Sequence, residues 1–229
     1  MPRISLTASE LDSMRSRMCG AALDIFRSHG TEAVTLRALA DVLGISHTLP
    51  YRYFENKDAL LAGVRLACFG LFDSYVRQRE RTEAGPLERV FSVVDAYVGF
   101  VFEHSVEYTL IFATPQPPPL RYPDLLAARK RLFDHAVNLV ELCIDAGHVH
   151  GDARELTHCV WASLHGLLSL HVANQLVHGE ELGALVRPTI CRILGLPVAE
   201  AARNEPRAER RPVVSARHLR PVTIRGKSR

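Results

Sequence analysis

Apolar side chains recur at spacings of three and four along almost the whole chain, and no stretch alternates with the period of two that a half-buried strand requires. That regularity confines the fold to packed helices. Thr7-Ala-Ser-Glu10 reads as a capping box, in which hydroxyl and carboxylate each take an orphan N–H at a helix start. Behind it Met14, Met18, Ala22, Ile25, Phe26 and His29 form one stripe, which ends near Gly30. Thr35 caps a short helix with Leu36, Leu39, Ala40 and Leu43 on its apolar face, and Gly44 stops it. Ser46 caps a third short helix over His47–Phe54. Asn56 opens a fourth, with Leu61, Val64, Cys68, Leu71 and Tyr75 along one side. Gly85-Pro86 is a stop followed by a start, and helices are expected over Leu87–Glu103 and Ser105–Ala113. Pro115-Gln116-Pro117-Pro118-Pro119 can only be an extended loop. Further helices are expected over Pro123–Ala146, from the capping box Asp152-Ala-Arg-Glu155 to about Val177, and over Glu180–Leu194 with a kink at Pro188. The expected fold is all-α, with about nine helices: three short ones, then six longer.

Composition narrows the class. With 229 residues, 47% apolar and 23% charged, the chain has enough apolar surface to build a core. Uninterrupted apolar stretches fall short of the roughly 18–20 residues of a membrane span; Val93–Phe102 and Val160–Val172 are broken by Asp95, His165 and His171. No apolar signal core precedes the first helix. Five scattered Cys without CxxC spacing read as buried thiols in a reducing compartment, so a cytoplasmic location is expected. The formal charge of +3 hides an asymmetry, because nine Lys/Arg from Arg203 onward face only Glu205 and Glu209. That stretch, rich in Pro and without helical periodicity, reads as a solvated extension or as a sequence-blind arm for phosphates. The domains expected are 1–58 for a helix-turn-helix unit, 59–198 for a helical bundle and 199–229 for the basic tail.

Short helix, Gly-containing turn, short helix is the helix-turn-helix pattern, supplied here by Thr35–Leu43, Gly44-Ile45 and Ser46–Phe54. The outward positions of the second helix, His47, Thr48, Tyr51 and Arg52, are polar, donor-rich or aromatic, as entry into a major groove requires. Thr35, Tyr53 and Lys57 suit flanking phosphates. Residues 1–63 are balanced in charge, so affinity has to come from local placement of Arg37, Arg52 and Lys57 and from dimerisation.

The stretch Ala21–Val64 resembles the TetR (tetracycline-repressor-like) transcriptional regulators in several spaced elements at once. These are Phe26-x-x-x-Gly30, Thr35, Leu43-Gly44-Ile45-Ser46, Tyr51-Arg52-Tyr53-Phe54 and Asn56-Lys57-Asp58-Ala59-Leu60-Leu61. The resemblance implies that Ser46, His47, Thr48, Tyr51, Arg52 and Tyr53 face DNA and that Lys57 touches its backbone. Thr48-Leu49-Pro50-Tyr51 departs from the family's Gly-Thr-Leu-Tyr, and Pro50 removes an N–H, which puts the base-reading register in question. Trp161-Ala-Ser-Leu-His165-Gly166 resembles a Trp–His–Gly signature of one C-terminal subtype. The resemblance further implies a homodimer built on the last two helices, a palindromic operator and release of a repressor by a small apolar ligand; the short apolar stretches leave no membrane partner expected.

Glu88, Ser92, Asp95, Gly99 and Glu103 fall on one polar helix face, so Asp95 reads as solvated and not catalytic. No converging nucleophile and base is found, and an enzyme is not expected. His148-x-His150-x-Asp152 and the helical His158, His165, His171 and His178 lack the i, i+4 spacing of a helical zinc pair; neither metal nor cofactor is expected. Tyr97, Tyr108, Phe112, Phe133, Trp161 and His165 are the candidate ligand pocket, and buried Tyr97, Tyr108, Trp161 and His165 would each need a polar partner. Two other readings stand beside the repressor: an activator of the same fold, and a helical protein-interaction module that binds no specific DNA.

Overall fold

The computed structural model describes residues 7–198. The basic stretch from Arg203 onward, and the phosphate role considered for it, lie outside the described residues. Eight α-helices and no strand are present among them: α1 (Ala8–His29), α2 (Leu36–Leu43), α3 (Lys57–Arg79), α4 (Pro86–Glu103), α5 (Ser105–Tyr108), α6 (Pro123–Asp145), α7 (Ala153–Val172) and α8 (Leu182–Leu194). A π-helical turn, Thr109–Ala113, prolongs α5.

Local chemistry fixes the helix starts. Thr7 and Glu10 form both bonds of the capping box on α1. Thr35 accepts from the Ala38 N–H at 3.0 Å, Asn56 from Ala59 at 2.9 Å and Asp152 from Glu155 at 2.7 Å. Gly44 ends α2 in the left-handed region at φ 63, where a Cβ would be strained.

The structure corrects the reading of three segments. The helix expected over His47–Phe54 is instead a turn at 47–48 followed by one 3-10 turn, Pro50–Arg52. Pro50 has no N–H to return to Ser46, so bonding switches to Leu49 N–H on Ser46 and Arg52 N–H on Leu49. α7 stops at Val172 and not near Val177, because Asn174 turns left-handed (φ 54) and Gln175 N–H closes back on the Leu170 carbonyl at 2.8 Å. On α4, Asp95 is exposed as expected, paired with Arg187 of α8 at 2.6 Å, but Ser92 is buried. Its hydroxyl is satisfied by the Arg81 N–H and the Arg89 carbonyl.

α1 packs on α2 and α3, α3 on α4 and α6, α6 on α7, and α7 on α8. One apolar cluster therefore runs from Met18 and Leu39 to Ile190 and Leu194 without a break at α3. α3 is long and apolar enough to cross a bilayer, yet Leu60, Leu61, Val64, Phe69, Phe72 and Val76 are buried in the bundle, which makes it a core helix. Leu71, read as part of its apolar stripe with Leu61, Val64, Cys68 and Tyr75, is exposed while those four are buried.

Candidate nucleic-acid interface and effector core

Phe54, buried to 1% exposure, anchors the turn after α2 against α1 and α3. Arg15 of α1 holds that turn from outside, donating to the Tyr53 carbonyl at 3.2 Å with its guanidinium 4.7 Å from the Phe54 ring. Gly63 leaves room for the ring, since a Cβ there would stand 3.0 Å from Phe54 Cε1. With Pro50 and Phe54 turned inward, Ser46, His47, Thr48, Tyr51 and Arg52 are exposed, Tyr51 to 60%. Tyr53 and Lys57 are half-buried, and Thr35 and Arg37 are exposed at the start of α2.

Several of these side chains have local partners. His47 Nε2 lies 2.7 Å from Asp41 Oδ1, and the Ser46 and Thr48 hydroxyls meet at 2.9 Å. Lys57 Nζ rests 3.5 Å from the Glu32 carbonyl and 3.6 Å from its carboxylate. Thr35 spends its acceptor on the helix cap and keeps its O–H for donation. The result is a protruding turn with mixed donors and an aromatic ring, flanked by the N-termini of α2 and α3.

The second constellation lies in the bundle. The Tyr97 and Phe112 rings are 5.9 Å apart, Tyr108 and Phe112 5.2 Å, and Phe112 and His165 5.9 Å. The Tyr108 hydroxyl meets His165 Nδ1 at 2.7 Å. Burial lowers the His165 pKa and favours the neutral ring, whose tautomer sets which of the two groups donates. Burial, with the Tyr108 hydroxyl nearby, raises the Tyr97 pKa well above the ordinary tyrosine value. Among the described residues Tyr97 Oη has no hydrogen-bond partner, and neither has the buried Oε1 of Gln116. Trp161 differs from expectation: it is 39% exposed, stacking on His165 at 6.0 Å, so it needs no buried polar partner. Phe133 sits beyond it, 6.5 Å from Trp161 and 4.3 Å from His158, in a small satellite core. Four candidates thus form one cluster, and two line its rim.

Arginines that periodicity could not place join the halves. Arg27 at the end of α1 pairs with buried Glu107 of α5 at 3.0 Å. Arg65 of α3, only 5% exposed, donates to the carbonyls of Leu110 and Pro115 and to the Thr114 hydroxyl. Arg121 reaches Asp58, in the first turn of α3, at 3.5 Å. An open cleft of about 420 Å³ runs along the surface where α1 packs on α3, lined by Cys19, Gly20, Leu23, Ala67, Leu71 and others. Among the described residues no three His, Cys, Asp or Glu side chains gather as a metal cage.

Known proteins place the chain. Residues 20–64 match the family described as bacterial regulatory proteins, tetR family, and residues 90–193 match the tetracyclin repressor-like C-terminal domain. The chain belongs to the TetR family of DNA-binding transcriptional regulators. Similar to it is the HTH-type transcriptional activator FasR of Mycolicibacterium smegmatis, 31% identical over 101 residues, which are 44% of this chain and 46% of that protein. The chain therefore matches just under half the length of that relative. Among solved structures, a protein of unknown function from Rhodococcus sp. RHA1 superposes with a TM-score of 0.70 at 23% identity, over 86% of this chain and 98% of that one. FadR from Bacillus subtilis, solved in complex with stearoyl-CoA, superposes with a TM-score of 0.63 at 15% identity, over 78% of this chain and 97% of that one. These two likenesses establish the fold.

Proposed function

We propose that the protein is a homodimeric one-component repressor that grips a pseudo-palindromic operator and releases it when a largely apolar small molecule occupies the bundle. The observation that carries this reading is the turn after α2, where Pro50 and Phe54 point inward and Ser46, His47, Thr48, Tyr51 and Arg52 outward. Buried anchors fix the turn, and the outward set supplies donors and a ring for base edges. Thr35, Arg37, Tyr53 and Lys57 supply flanking phosphate contacts. A two-fold dimer would set the two turns about 34–36 Å apart, one turn of DNA. Cys159, Ala162, Gly166 and Leu170 share one outward face of α7, small and apolar enough for close helix approach. That face is our candidate for the dimer contact, with α8 beside it.

The effector is assigned to the cluster of Tyr97, Tyr108, Phe112 and His165, with Trp161 and Phe133 at its rim. A long-chain acyl thioester is the first chemistry to test, since a fold neighbour was solved with one. Ligand binding shifts the population toward splayed reading turns, and operator affinity falls by the ratio of its affinities for the two states. An activator reading is kept for one reason, the name of the relative FasR. Selection from a random DNA pool, followed by titration of Tyr51→Ala and Lys57→Ala, tests the assignment. A palindrome should emerge, and both variants should lose it while staying dimeric. Variants that bind the selected palindrome as tightly as the parent would refute it.

A further inference from the structure

The loop between the π-helical turn and α6 reaches the N-terminal end of α3, where Arg121 meets Asp58. Its root is pinned. Arg65 Nη2 donates to the Pro115 carbonyl at 2.9 Å, and Gln116 Nε2 donates to the Thr114 carbonyl at 2.9 Å. Four prolines between 115 and 119 fix the backbone torsions beyond it. A 3-10 turn, Pro119–Arg121, then sets Arg121 beside Asp58, with its guanidinium 5.6 Å from the Tyr122 ring. The backbone that carries this arginine is thus held in place before any ligand arrives.

Asp58 is next in sequence to Lys57, the side chain assigned to the operator backbone. A carboxylate there would repel the phosphate that Lys57 attracts; Arg121, 3.5 Å away, offsets part of that repulsion and keeps other N–H donors for a phosphate oxygen. Both members of this pair are about half exposed, and among the described residues Arg121 has no side-chain partner closer than Asp58. The helix-turn-helix unit has no charge surplus, and Lys57 is itself shared with Glu32. A cation delivered from outside the unit is what this surface lacks.

We infer that Arg121, carried by the bundle, is a phosphate-contacting residue of the operator complex, completing with Lys57 a two-cation grip on the DNA backbone. The inference rests on the operator reading above. It also gives the grip a route to the effector: Leu110, whose carbonyl Arg65 binds, lies in the same π-helical turn as Phe112 of the aromatic cluster.

The test is the salt dependence of operator affinity for the full chain, Arg121→Ala, Arg121→Lys and Lys57→Ala, using the selected palindrome and an unrelated duplex. Each neutralised phosphate contributes about 0.9 to the slope of log affinity against log salt, so Arg121→Ala should remove about 1.8 from that of the dimer. If the lines meet near 1 M salt, affinity at 0.1 M falls about sixty-fold. Both duplexes should be weakened alike, and Arg121→Lys should restore most of the slope. Unchanged slope in Arg121→Ala, whether affinity holds or falls, overturns the inference and leaves Arg121 as a brace on α3. If Lys57→Ala also changes nothing, the operator reading fails with it; a change in Lys57→Ala alone refutes only the role of Arg121.

Discussion

Arg65→Met tests how much a buried cation contributes when every partner is neutral. Arg65 donates to the Leu110 carbonyl at 3.3 Å, the Thr114 hydroxyl at 3.2 Å and the Pro115 carbonyl at 2.9 Å. Among the described residues no carboxylate lies within ion-pair distance of it, and burial lowers its pKa against the weaker pull of Asp58. Bonds from a charged donor contribute about 1.5–3 kcal/mol each, so three would sum to about 5–9 kcal/mol if nothing opposed them. Desolvation opposes them, at several kcal/mol for a buried ion. The acceptors are also not stranded by the change. The Leu110 carbonyl keeps the Thr114 hydroxyl at 2.7 Å and Gln116 Nε2 at 3.2 Å, and Pro115 is exposed to water. Methionine fills much of the stem volume. We therefore expect a net loss of only about 1–3 kcal/mol, because no buried group is left unpaired. Urea unfolding at fixed protomer concentration reads it, as a shift in midpoint without a change in slope. A loss above about 5 kcal/mol would refute the reasoning and make the guanidinium a structural keystone.

Two further outcomes follow from the geometry. Pro50→Ala returns the missing N–H and lets 47–53 approach a regular helix; carbon chemical shifts of that segment should move toward helical values. The base preference selected in vitro should change while the salt slope stays, since no charge is lost, and an identical preference would show that the turn's irregularity is immaterial to reading. Burial pushes the Glu80 carboxyl up, but hydrogen bonds from Arg89 and His135 more than offset it and hold its pKa below the ordinary 4.5. Its stabilising contribution is therefore present above the unfolded pKa and disappears as pH falls through the folded one. Urea midpoints between pH 7 and 3 should drop less steeply for Glu80→Gln than for the parent, and superimposable profiles would contradict this.

What could be read from sequence was what neighbours in the chain decide. Thr7, Thr35, Asn56 and Asp152 cap helices through bonds three residues long, and such bonds are visible as spacing. Asp95 faces outward because its helical phase is set by the residues around it. The reading turn is legible in the sequence as a location but not as a shape, since a missing N–H at Pro50 does not say which bonds replace it. Asn174 hid the end of α7, because the apolar pattern continues to Val177 while the backbone does not. The arginine contacts were not legible at all. Arg65 and Pro115 are fifty positions apart, Arg27 and Glu107 eighty, and periodicity carries no information on pairing at that range.

Of the five thiols, Cys19, Cys68, Cys143 and Cys191 are shielded within the bundle, and burial pushes Cys19 and Cys143 up to about 11 and Cys68 to about 12. Cys159 alone stands open, on the α7 face assigned to the twin subunit. In the proposed dimer the twin helix would cover that sulfur, so a maleimide dye should reach it only while the subunits are apart, and its labelling rate would follow subunit exchange.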